Sequence, residues 1–477
     1  MGMRRWRSGT IRRLATGLLA LAATLLVATA TAQDAAAQDA TVGHDVPGIR
    51  EAQLDADYWI RRLRQPDRVV LDRDQIATQN VKLQDNDPSL YDIEGLPLML
   101  EAEQVRPWIE KLSVKPEHML YDETGKAGSE RAIGRLVANL ALKSIPQTQI
   151  TRYGMVVRRA DLRTFPTRLR VFDTPIDHDI DRFQESALFP GTPVVIAHES
   201  RDRAWYFVVS ERYAAWIEKQ HVAVGDKQAI FDYGRKTPYL VVTGATARTV
   251  FTPARPEVSD LQLEMGVRVP LLTEWPGDTA VNGQHPYASH VIELPTRTGN
   301  GSLAFSPALL PRIADVATDY LPLTKANLLR QAFKFLGERY GWGHSYNARD
   351  CSGFVSEVYR SFGVQMPRNT RDQAVSPAFN RIAFTAEDSH EKRLRLLRET
   401  QVGDLIYIPG HVMMVIGHEN GEPYVIHDTA GMTYRRSDGS LRRLNLNGVS
   451  VTPLLPMLSG ADTPTVDRIT SIQRIRP

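Results

Sequence analysis

Cysteine is almost missing from this chain: Cys351 is the single one in 477 residues. One thiol excludes an intramolecular disulfide, and with no histidine pair at zinc-ligand spacing it also argues against a structural zinc site. No metal or cofactor is expected. A strong charge of one sign is missing too, with 58 Lys+Arg against 55 Asp+Glu. Long apolar runs are lacking except from Leu14 to Val27, which follows Arg4, Arg5, Arg7, Arg12 and Arg13 and precedes Ala30-Thr31-Ala32. That order is the anatomy of a secretory signal over residues 1–32, too short for a comfortable membrane span and without the cysteine of a lipoprotein anchor. The expected protein is exported, periplasmic or secreted, with no membrane segment after cleavage. Without those five arginines the net charge becomes −2, which argues against nucleic acid as a partner. Repeats and low-complexity tracts are lacking as well: the 29 Pro and 32 Gly are spread along a chain long enough for several domains.

What is present divides the chain. Residues 33–45 read as an Ala/Asp/Gln-rich linker. Residues 46–150 mix short helical and apolar stretches, carry no evident chemistry and are expected to pack. Within 151–230, Met155–Val157, Thr192–Ala197 and Trp205–Val209 read as short strands, the last two forming a hairpin, which suggests a small barrel. Residues 236–312 repeat the theme with Tyr239–Val242, Gly266–Leu272 and His290–Leu294. Over 318–460 the pattern turns to helix and then sheet. Leu328, Leu329, Ala332, Phe333 and Leu336 share one helical face, a second helix opens at Asp350-Cys351, and Asp404–Ile408, Val412–Ile416 and Tyr424–Ile426 read as antiparallel strands.

The lone thiol is either a small buried hydrophobe or a reactive group. With Asp350 as N-cap, Cys351 falls in the first helical turn, where unpaired N–H groups and the helix dipole favour thiolate. A thiol nucleophile needs a base that is itself oriented by a third group. His411, after Pro409-Gly410, begins an apolar strand, and His427 ends the next. If these strands pair, His427 can hold the ring of His411. His344 could line the site, His418 reads as a turn residue, and His198, His285 and His290 appear in β segments without partners.

At these residues the sequence resembles the NlpC family of bacterial cysteine peptidases. The matching pieces are Tyr340–Gly343, RDCSGFVSEVY (349–359), MPRNTRDQ (366–373), GDLIYIPGHVMMVIG (403–417) and YVIHD (424–428), with His344 standing where the family usually has a second glycine. The resemblance implies a papain-like α+β domain with Cys351 as nucleophile, His411 as base and His427 completing the triad. Upstream, Tyr153–Thr167 resembles the opening of the first barrel in a branch where an N-terminal stabilising segment and two bacterial SH3-like barrels precede the peptidase. The fold class so implied is multidomain α+β. That branch cleaves the γ-D-glutamyl–diamino acid bond of murein peptides, here L-Ala-γ-D-Glu joined to diaminopimelate. Asp350 and Ser352 match positions that hold the L-Ala-γ-D-Glu portion, and Arg368 is a candidate for the glutamate α-carboxylate. Asp350, taken as an unpaired carboxylate, is expected to accept the ammonium of a free N-terminal L-Ala, with the first barrel excluding a sugar. The barrels could also contact peptidoglycan. The alternatives are an amidase or acyltransferase on wall or lipid substrates, and a non-catalytic wall-binding protein.

Overall fold

A computed structural model describes residues 46–476; the expected signal (1–32) and linker (33–45) lie outside the described residues. The C-terminal body is built on helices α1 (Lys325–Phe333) and α2 (Cys351–Arg360) and a six-stranded antiparallel sheet. Its strands are β1 (Asn380–Ala383), β2 (Leu405–Ile408), β3 (His411–Glu419), β4 (Glu422–Thr429), β5 (Gly448–Pro453) and β6 (Ser471–Arg474). Their order across the sheet is β1-β6-β2-β3-β4-β5. Each helix starts where the sequence supplies a cap: Thr324 accepts from the Asn327 N–H, and Asp350 from the Gly353 N–H.

Period-two alternation divides the sheet. Val412, Met414, Ile416, Tyr424 and Ile426 join Leu328, Leu329, Phe354, Val355 and Val358 of the helices in one core. The intervening apolar residues Met413, Val415 and Val425 are buried outside that core. Because β6 lies between β1 and β2, the body extends past residue 460, the boundary expected from sequence. Its strand is short and follows a polar stretch, so the pattern was easily missed.

Upstream, the segments Arg152–Val156, Ala160–Arg163, Gln184–Leu188, Pro193–Glu199, Trp205–Val209, Ala214–Glu218 and Val222–Gly225 make one seven-stranded antiparallel sheet, with the expected hairpin pairing Val195 with Val209. Alternate residues again fall into two cores, Val195, Phe207 and Trp216 in one and Val194, Val208 and Ile217 in the other. A second β unit follows. Tyr239–Val242 lies between Arg268–Pro270 and Val316–Ala317, and a long hairpin pairs Ser289–Arg297 with Leu303–Pro311. Its last strand carries this unit beyond the expected end at 312.

Residues 46–150 do not form a separate core. Tyr58, Trp59, Ile60, Leu71, Ile76 and Leu83 pack into the core of the C-terminal body, and Val69 and Leu71 pair with Thr324 and Leu323. Ile93, Leu100, Val105, Ile109, Leu140 and Ile145 pack instead against the seven-stranded sheet. Trp59 reaches a bulge in β3 at Gly417, where a Cβ would stand 2.8 Å from its ring. Only glycine leaves room there.

Candidate active site

Cys351 is the first residue of α2 and is 5% exposed. Its Sγ lies 4.0 Å from the carbonyl oxygen of Gly410, and the Val412 N–H hydrogen-bonds it, so the backbone on both sides of His411 meets the sulfur. His411 Nε2 is 2.7 Å from His427 Nδ1, and His427 Nε2 is 2.9 Å from the Thr452 hydroxyl on β5. The strand pairing anticipated from sequence therefore brings the two histidines into contact.

The protonation states differ from the sequence expectation at the thiol. Burial pushes Cys351 well above the ordinary thiol range, and the charge of Asp350 adds to this, outweighing the Val412 N–H. The helix start alone does not produce a thiolate. Burial lowers His411 to about 4, with no charged neighbour contributing. Burial and then His411 hold His427 well below the usual imidazole range. Both rings are neutral at neutral pH, as an acceptor and its orienting partner must be.

Asp350 is not the unpaired carboxylate expected from sequence. It accepts from Gly353 N–H (2.8 Å), Gly343 N–H (3.1 Å), the Ser352 hydroxyl (3.1 Å) and both terminal nitrogens of Arg368 (2.7 and 3.2 Å). Burial would raise its pKa, but Arg368 and His344 overcome that and bring it to about 2. Arg368 is equally occupied. Its five N–H donors match five bonds: Nε to Ser186 Oγ, one terminal nitrogen to Asp350 and Ser352, the other to Asp350 and His344 Nδ1. No donor is left for a substrate carboxylate, so the role considered for Arg368 gives way to one of holding the barrel residue Ser186 against α2.

His344 is a buried member of this network, 3% exposed, rather than a lining residue. Burial and then Arg368 lower it to about 4, so it accepts from Arg368 and donates from Nε2 to Glu357 at 3.3 Å. A Cβ at Gly353 would come within 2.6 Å of the His344 ring, which requires the glycine of Asp350-Cys351-Ser352-Gly353. His418 is part of β3 and bonds the Leu397 carbonyl; His198 bonds that of Leu140; the Nδ1 of His285 accepts from the Tyr287 N–H.

Sequence reasoning missed Glu185 and Tyr213, both from the seven-stranded sheet. They line a cavity of about 750 Å³, together with Trp108, Arg212, Asn369 and Asp372. Glu185 accepts from the hydroxyls of Thr164 and Tyr213, both at 2.5 Å. No lysine or arginine among the described residues forms an ion pair with it. The signal was weak: one glutamate in an ordinary strand.

Residues 337–445 match the NlpC/P60 family, and residues 170–218 match an SH3 domain of the SH3b1 type. The chain thus carries an NlpC/P60 peptidase domain behind a bacterial SH3 domain within a multidomain α+β fold. It is 27% identical over 213 residues to a γ-D-glutamyl-L-lysine dipeptidyl-peptidase of Bacillus cereus, a match spanning 44% of this chain and 56% of that relative. Among solved structures, an NlpC/P60 endopeptidase from Photobacterium damselae subsp. piscicida superposes with a TM-score of 0.70 at 17% identity, covering 91% of this chain and 98% of that one. An NlpC/P60 family protein from Bacillus cereus aligns at 21% identity with a TM-score of 0.44, covering 68% and 100%.

Proposed function

We propose that the protein is an exported cysteine endopeptidase that cuts the γ-D-glutamyl–diamino acid bond of murein peptides. The observation that carries this reading is the placing of a thiol at a helix start against a strand whose first residue, His411, is held by a second histidine. As the sulfur attacks the γ-carbonyl carbon, the thiol proton passes to His411 Nδ1 and a C–S bond forms. The N–H groups of Cys351 and Ser352, which precede the first intrahelical bond, are available to the developing oxyanion. His411 then gives the proton to the departing amine, and water releases the acyl group by the reverse sequence. The relative named for cleavage after γ-D-glutamate supports the bond class.

Substrate choice is read from the cavity. Asp350 is saturated, so the ammonium of a free N-terminal L-Ala is assigned to Glu185, whose partners are two hydroxyls. A charge-assisted hydrogen bond of this kind contributes about 1.5–3 kcal/mol. Glu185→Gln should therefore raise KM about tenfold or more with little change in kcat. On this reading the residues that line the cavity from both sides, Tyr91 and Trp108 opposite Glu185 and Tyr213, exclude a sugar on that amine. The test is hydrolysis of L-Ala-γ-D-Glu-diaminopimelate and its N-acetylmuramyl form, followed by mass spectrometry. Free diamino-acid products from the first and little from the second are expected. Equal rates would defeat the steric reading, and a Cys351→Ala protein with normal turnover would defeat the mechanism. For export, N-terminal sequencing of the protein outside the cytoplasm should begin near Gln33.

A further inference from the structure

We infer that Thr452 is a positioning residue that selects the proton arrangement in which His411 can act as a base, an inference that rests on the peptidase reading above. Thr452 lies on β5 opposite Val425 of β4, on the face shared with His427, and is fully buried. Its hydroxyl is 2.9 Å from His427 Nε2 and 3.7 Å from the sulfur of Met457. A chain of polar atoms therefore runs from His411 through His427 and Thr452 to Met457, and its protons can be counted.

Each neutral imidazole carries one N–H. In one arrangement His411 Nε2–H donates to His427 Nδ1, His427 Nε2–H donates to Thr452, and the hydroxyl donates to the Met457 sulfur. This leaves His411 Nδ1 with its lone pair free for the thiol proton. In the other, the two bonds of His427 are reversed and the one to Met457 is given up: Thr452 donates to His427, His427 donates to His411 Nε2, and His411 carries its proton on Nδ1. That state cannot accept from Cys351. Once His411 has taken the proton, both its nitrogens carry hydrogen. Its Nε2–H then needs an acceptor at His427 Nδ1, which forces His427 Nε2–H toward Thr452. The imidazolium thus exists only with Thr452 as acceptor. Met457 completes the device by accepting the hydroxyl proton. No charged side chain contributes to the protonation of either ring, since burial accounts for His411 and burial with His411 for His427. Asp428, next in β4, alternates to the other face. The hydroxyl is therefore the polar group that decides between the two arrangements.

Thr452→Val keeps the shape and removes the hydroxyl, while Thr452→Ser keeps the hydroxyl. The valine protein should lose about ten- to a hundredfold in kcat/KM, the range for an unmade bond to a charged group. The acid limb of its pH profile should also move to lower pH, because the imidazolium has lost support. The serine protein should stay close to wild type in both. A merely structural role would lower stability without moving the limb. Nitrogen-15 NMR of the wild-type histidines reads the same point without any variant: His427 should be found protonated on Nε2. A Nδ1-protonated His427, a valine protein with unchanged rate and profile, or a serine protein as impaired as valine would each overturn the inference. Cys351→Ala, assayed in parallel, separates the two claims. If it is inactive and Thr452→Val is normal, only the role of Thr452 fails. If it is active, the peptidase reading fails with it.

Discussion

At pH 7 the His411 ring is neutral, because burial has moved its pKa to about 4, while burial and Asp350 keep the Cys351 sulfur a thiol. A group with a lowered pKa is a working base above that value and is lost as a base below it. The kcat/KM profile should therefore hold its level from neutral pH down to about 5 and fall through about 4, measured on the free tripeptide. An acid limb near the ordinary imidazole value would contradict this. Asp428 gives a second residue-scale expectation. Both its carboxylate oxygens are buried without a hydrogen-bond partner, and burial, then Asp350, push its pKa well above the usual range. A raised folded pKa means that the stability present below the unfolded value of about 3.9 is lost as pH rises. Asp428→Asn should thus raise the melting temperature at pH 7 and leave it little changed at pH 3. At this scale the lone cysteine and the two strand-end histidines were legible, because type and spacing alone mark them. Glu185 and Thr452 were not: their roles come from register and from sheets distant in sequence, which period-two patterning does not reveal.

The start of α2 sets its charges below the surface. Arg349 is fully buried and bonds Glu357 and both carboxylate oxygens of Glu338 at 2.6–2.7 Å, while its remaining terminal nitrogen reaches the Ala245 carbonyl of the second β unit. Burial opposes the charge of Glu357, yet Arg349, followed by the His344 hydrogen bond, holds it well below the carboxylate range. Removing one partner strands the others, so Arg349→Met should cost about 3–5 kcal/mol in urea unfolding. Replacing Glu357 by leucine in that background should restore part of the loss, because one stranded charge goes with it. Additive losses would show that the pair is not coupled. The element itself was readable: Asp350 as cap, the apolar stripe from Phe354 to Phe362, and Gly363 after it with φ 84°. Its buried polar side was not, since Arg349 and Glu357 look like solvated residues until the barrel covers them.

Across the whole molecule, residues 46–150 serve two cores at once, which local sequence could not indicate because the partners lie hundreds of positions away. The first part of the segment belongs to the C-terminal body and the second to the seven-stranded sheet, and Tyr91 and Trp108 of the second line the candidate substrate cavity. The anchor of the first part is Trp59, 1% exposed, with its indole N–H on the Gln53 carbonyl at 2.9 Å and its ring 5.2 Å from that of Tyr424. It covers the ends of β3 and β4 away from His411 and His427. Trp59→Ala should leave a large cavity there and cost about 3–5 kcal/mol. The fully folded variant, assayed well below its melting temperature, should keep kcat near wild type because no catalytic contact is removed. Limited proteolysis should now cut within residues 60–70, since the segment has lost its anchor on the sheet. A Trp59→Ala protein that melts and resists protease like wild type would mean that the pairing of Val69 and Leu71 with Thr324 and Leu323 holds the segment by itself.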